Sequence, residues 1–222
     1  MSDYEQASIN AFKAVYPDAV QRGCFFHFAQ AIFKHIQADQ NLHEKYNEDS
    51  NFSLQLRQLI ALAFIPPCDV DASFDQLQSS DFFKNNEELL DGYLKYFATT
   101  WIGSYDRRGA RKRPLYDIGL WNCYESVLED LPKTNNACEG FHRGFATMLA
   151  ACHPTIHKLV DALLKQQALT TCTQELLINK KSDPPIKKWV DVAASLKKKV
   201  ENYGKIGVLE YLRGVEHNIN KI

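Results

Sequence analysis

Apolar side chains recur at helical spacing along almost the whole chain, and one short stretch breaks the rule. Ala7, Ala11, Ala14 and Val15 fall on one side of a helix predicted over residues 3–16, with Ser2 or Asp3 as its cap and Pro17 beyond its end. Residues 20–26 are short, apolar and aromatic, the pattern of a strand, and a helix over 27–38 follows at once with Phe28, Ile32 and Phe33 on its buried side. Further helices are predicted within 52–64, ended by Pro66-Pro67, over 70–77, and over 86–101, where Leu89, Leu90, Tyr93, Leu94 and Phe97 form the apolar stripe. Residues 115–128 are aromatic-rich and hold Trp121 and Tyr124. A helix should start near Asn136 and pass Met148, and another should run from Pro154 to about 178. Two basic helices follow the Pro184-Pro185 break. A lone strand needs partners for its backbone groups and cover for both faces, so this pattern expects the rest of a sheet to come from outside these residues.

Composition changes this picture little. With 222 residues, 45% apolar and 24% charged, the chain has the balance of an ordinary soluble domain or two, and the net charge of −1 does not by itself point to nucleic acid. The distribution says more. Residues 1–100 carry 14 acidic and 7 basic side chains (−7), whereas 101–222 carry 13 and 19 (+6), so the second half could face a polyanion. The six cysteines form no CxxC and follow no signal peptide, which reads as reduced thiols in an intracellular protein. No apolar run approaches the roughly 20 residues that cross a bilayer.

Three stretches could carry chemistry. Ser2-Asp3-Tyr4-Glu5 sits at a helix start, where Asp3 reads first as an N-cap. Gly23-Cys24-Phe25-Phe26-His27-Phe28 spans the predicted strand-to-helix junction. Its Cys24 and His27 form a CxxH pair, which reads as a buried structural pair because a closed zinc site needs four ligands. The third runs from Thr134 to Arg143. On a helix capped by Asn135 or Asn136, Glu139, His142 and Arg143 share one face and could line a cleft. Phe141 and Phe145 fall on another. Glu139 could equally be a capping-box or solvated acid.

Taken in order, these stretches resemble the Mutator-like DDE transposases, the FLYWCH-associated branch in particular. Asp3 and Glu5 match its Asp-x-Glu. Gly23, Cys24, His27 and Phe28 match its Gly-Cys-x-x-His-Phe. Thr134, Asn135, Asn136, Glu139, Gly140, His142 and Arg143 match its third motif. Residues 61–67, Leu120-Trp121-Asn122, Leu131-Pro132 and His153-Pro154 are also similar, so the likeness spans roughly residues 1–170. The resemblance implies an RNase H-like fold with three acids, in which Asp3 is the second and Glu139 the third. It also implies Mg²⁺ or Mn²⁺ held by those carboxylates for DNA strand cleavage and transfer. The family's first aspartate precedes the Asp-x-Glu on an earlier strand, and only two residues precede Asp3 here. This reading therefore expects these 222 residues alone not to cleave DNA.

The fold class expected is mostly α with a short α/β remnant: a partial RNase H-like fold with a helical insertion. Its parts are 1–38 as the remnant, 39–130 as the insertion, 131–175 carrying the third acid and packing on 1–38, and 176–222 as a basic helical tail. Arg107, Arg108, Arg111, Lys112 and Arg113 form a basic loop suited to DNA phosphates or to plain solvation, and His142 and Arg143 join them as DNA-binding candidates. Trp121 could stack on a flipped base by analogy with related enzymes, or pack in the core. The partners expected are DNA and a possible homo-oligomer, not a membrane, and the compartment expected is the nucleus. A degenerate transposase and a fragment of an intact one both fit. The alternative class is a co-opted DNA-binding or protein-interaction module without catalysis.

Overall fold

Two aspartates turn the first half of the chain at right points. Asp39 ends α2 (Phe25–Ala38) and caps α3 (Gln40–Glu48), its Oδ1 accepting from Leu42 N at 3.1 Å. Asp49 ends α3 and caps α4 (Ser50–Ala61), accepting from Asn51 N at 2.9 Å and Phe52 N at 3.0 Å. Each carboxylate satisfies orphan N–H groups of a new helix and favours its positive end, so three helices connect without a loop between them.

The computed structural model describes residues 1–105, 111–179 and 186–219, and they are mostly helical. The remaining helices are α1 (Gln6–Val15), α5 (Val70–Gln78), α6 (Asp81–Asn85), α7 (Glu87–Phe97), α8 (Ile118–Trp121), α9 (Tyr124–Leu128), α10 (Asn136–Leu149), α11 (Ile156–Ile178), α12 (Lys187–Val200) and α13 (Val208–Ile219). β1 (Ser104–Tyr105) and β2 (Arg111–Lys112) make one two-residue antiparallel ladder. No described helix is long and apolar enough to cross a membrane.

The chain forms two units, 1–134 with 191–222, and 135–190. In the first, a single core runs from Phe25 and Phe28 of α2 through Leu56 of α4, residues 61–65 and Phe97 of α7 to Leu212 and Val215 of α13. There is thus no boundary at 38/39 between a remnant and an insertion. Nor are residues 191–219 a separate basic tail. Leu196, Val200, Tyr211, Leu212 and Val215 are buried, and α13 packs along α4. Basic residues of α12 lie on its outer side while its apolar stripe joins the core, the usual division of an amphipathic helix.

The predicted strand at 20–26 is reduced to one parallel bridge, Ser2 to Gly23. Ser2 N donates to Arg22 O at 2.9 Å and Cys24 N to Ser2 O at 2.9 Å. Gly23 N then turns to Leu120 O at 2.6 Å and Phe25 N to Lys133 O at 2.8 Å. Two extended segments joined by α1 therefore lie parallel. The backbone groups that a longer sheet would satisfy are met partly by turns from later in the chain.

Gly23 is required there by close approach. A Cβ at this position would lie 2.5 Å from the Tyr4 hydroxyl oxygen and 2.6 Å from Cζ. Tyr4 cannot swing away cheaply, since its ring meets Trp101 at 5.1 Å and Tyr116 at 5.2 Å, both edge-on. Gly23→Ala should lower stability by about 1–3 kcal/mol, as overpacking does. An unchanged urea midpoint would show that the Tyr4 ring has room to move.

Candidate metal and DNA site

Asp3 stands at the end of the first extended segment, between two fixed neighbours. Ser2 is held by the bridge, and Tyr4 is anchored in an aromatic cluster. Phe28 stacks on Trp121 (4.8 Å, 5° between planes) and meets Trp101 edge-on at 4.9 Å. The Tyr116 hydroxyl donates to Tyr4 O at 2.6 Å. Burial raises the Tyr4 hydroxyl pKa well above its usual range, so it stays protonated in the cluster.

The second extended segment leads into α2, whose third residue is His27. Its Nδ1 lies 2.9 Å from Asp3 Oδ1. Asp3 directly follows Ser2, and His27 lies four residues after Gly23, so the bridge brings the two side chains together. The Asp3 side chain is 54% exposed and His27 is 25% exposed, so the carboxylate is accessible while its partner is half-sheltered.

Cys24 takes no part. It is fully buried as the residue preceding α2, its carbonyl accepting from Phe28 N at 3.0 Å. The CxxH spacing therefore serves two ends: Cys24 packs inward, and His27, one turn on, reaches Asp3. Sequence spacing paired His27 with Cys24; the parallel bridge pairs it with Asp3 instead. Nearby Cys123 is also a core thiol, pushed by burial up to about 12.

The second unit carries Glu139 in the first turn of α10. Asn135 takes the N-cap position without a side-chain cap bond, and Glu139 N bonds Asn135 O at 3.1 Å. The capping-box position three residues after Asn135 is Cys138, so Glu139 is not the capping-box acid. His142 and Arg143 follow on the same face and are exposed. Phe141 and Phe145 stack on the other flank at 6.2 Å and 3°, although Phe141 remains half exposed.

The remaining candidates are placed as follows. Lys112, in β2, and Arg113, directly after it, are exposed. Arg107 and Arg108 lie outside the described residues, and of Arg111 only the backbone is described, in β2. Trp121 is 0% exposed and its Nε1 donates to Trp101 O at 3.0 Å. It has neither face nor edge to offer a base, which corrects its reading as a stacking residue.

The family-like segments around it are structural too. Asn122 Nδ2 donates to Ile65 O at 2.7 Å, and Cys123 N donates to Ala63 O at 2.7 Å, tying 120–123 to the fully buried 61–65.

No family model, curated protein or solved structure matches this chain.

Among the described residues, no three His, Cys, Asp or Glu side chains gather as a metal site. The oxygens of Asp3 and Glu139 suit Mg²⁺ or Mn²⁺ in kind, since Mg²⁺ is commonly held by one or two carboxylates with waters and substrate phosphates. In number they fall short of the ligand set of a two-metal centre.

Proposed function

We propose that this chain is derived from a Mutator-like DDE transposase and carries the second and third acids of its DNA strand-transfer site, Asp3 and Glu139. DNA is its partner and the nucleus its compartment. The observation that carries the reading is the Asp3–His27 pair at 2.9 Å beside the Ser2–Gly23 parallel bridge. It gives two separate sequence motifs one shared purpose, the orientation of an accessible carboxylate. In this reading His27 is a positioning residue that holds the Asp3 side chain in one rotamer. By the same resemblance Glu139, on α10, is the third acid. Arg143, Lys112 and Arg113 supply positive charge for the phosphate backbone, a term that weakens with salt. A cation held at Asp3 would serve as a Lewis acid toward a phosphate oxygen.

The reading is tested by melting curves with and without Mn²⁺. A ligand that binds only the folded state raises its stability, so Mn²⁺ should raise Tm, and Asp3→Asn should abolish the rise. His27→Ala should weaken the metal by about 10–100-fold, as loss of an outer hydrogen-bond partner does. No rise in the unaltered chain, or a rise that survives Asp3→Asn, would remove the metal site from the account.

A further inference from the structure

Within the first unit, α2, α3, α4, α7 and α13 border an apolar pocket of about 340 Å³. Ile32 and Ile36 of α2 and Leu56 and Ile60 of α4 are its innermost lining, each at most 8% exposed. Phe33 and Tyr46, half-buried, also line it and pack on each other with ring centroids 5.5 Å apart. A concave, mainly apolar site of this size with few polar groups is the usual form of a small-molecule pocket.

Tyr93 of α7 is the most deeply buried polar side chain in this lining, at 3% exposed. Its hydroxyl has no hydrogen-bond partner among the described residues. Such groups are rare in folded proteins, because burial takes the group out of water without replacing the bond it made there. The Tyr93 ring lies over that of His35 (6.0 Å between centroids, 25° between planes), which holds the hydroxyl in the interior. Burial raises its pKa well above the usual value, so it stays protonated and able to donate. Arg57, the cation of the lining, gives its Nε to Glu216 at 2.6 Å.

We propose that this pocket binds a flat bicyclic aromatic molecule carrying one hydrogen-bond acceptor, such as a ring ketone, with the Tyr93 hydroxyl donating to that acceptor. Size sets the first part of the description. An apolar cavity of ~150 Å³ takes one benzene, so the volume here suits two fused rings and a short substituent. The lining sets the second. Aliphatic and aromatic side chains cover the faces and edges of such a ring system, and one deep donor matches one acceptor. A nucleobase fits poorly, since its several donors and acceptors would lose water against isoleucine and leucine. A fatty acid fits poorly as well, because the guanidinium that would meet its carboxylate is already paired with Glu216.

Titration of the full chain with 2-acetylnaphthalene and with 2-ethylnaphthalene, followed by ligand NMR, tests the proposal. The two compounds have nearly the same shape, and only the first carries an acceptor. The parent should bind the ketone about two- to tenfold more tightly than the hydrocarbon, the worth of one hydrogen bond. Tyr93→Phe should bring that ratio to one while leaving the hydrocarbon's affinity unchanged. It removes an unpaired hydroxyl, so its urea midpoint should stay the same or rise. Ala29→Trp, on the half-buried α2 lining of the same pocket, should weaken both compounds by tenfold or more with helical circular dichroism kept. No binding of either compound by the parent, or equal binding of both, would overturn the proposal. A ketone preference that survives Tyr93→Phe would overturn it too, and so would a lower urea midpoint in that variant, since the hydroxyl would then have a partner within the chain.

Discussion

Trp121→Ala is expected to destabilise the first unit by about 3–5 kcal/mol, the range for deleting a large buried aromatic. The side chain is wholly enclosed, lies flat on Phe28, and spends its one donor on Trp101 O. Truncation removes the stacking partner of Phe28, opens a cavity beneath the segment that carries His27, and leaves a buried carbonyl without its donor. Trp121→Phe keeps the ring but loses the hydrogen bond, so it should cost clearly less. Chemical denaturation of the three proteins measures both effects. A Trp121→Ala protein as stable as the parent, but weaker toward DNA, would restore the base-stacking role.

Arg57→Ala should cost a similar amount, about 3–5 kcal/mol, for an electrostatic reason. Glu216 of α13 is 1% exposed, and Arg57 Nε of α4 donates to its Oε1 at 2.6 Å. The exposed His217 ring also approaches this carboxylate, its Nδ1 3.7 Å from Oε2. Removing Arg57 takes this close charged donor away from a carboxylate held out of water. The cost is that of breaking the pair and not the pair's net worth. The double variant Arg57→Met, Glu216→Leu should therefore recover most of the loss. If the double variant is as unstable as Arg57→Ala, the loss comes from the packing of the Arg57 stem and not from charge.

The long amphipathic helices were legible in the sequence because their stripes are unambiguous. Leu90, Tyr93 and Phe97 of α7 are buried as their spacing requires. α3 was not, since its residues are mostly polar and Leu42 alone is buried; its signal lies in Asp39 and Asp49, which read as loop residues when taken singly. The place of α13 in the core is illegible for the opposite reason. The lysines of α12 mark this stretch as basic, while Tyr211, Leu212 and Val215 belong to a core whose other half is about 150 residues earlier, a pairing no local pattern records. The strand at 20–26 had the right composition, but strand length depends on neighbours, and here one bridge is formed. Of the site, Asp3 and His27 were each singled out by type. Their partnership depends on the parallel register of Ser2 with Gly23, a tertiary fact.

The proposal that Asp3, positioned by His27, holds a divalent cation is tested most directly by Mn²⁺ binding followed by electron paramagnetic resonance. Affinity is compared for the parent, Asp3→Asn, His27→Ala and the double variant. A ligand and the residue that orients it act as a unit, so Asp3→Asn should remove most of the binding and the second change should add little. Full Mn²⁺ affinity in Asp3→Asn, or losses that simply multiply, would contradict the account.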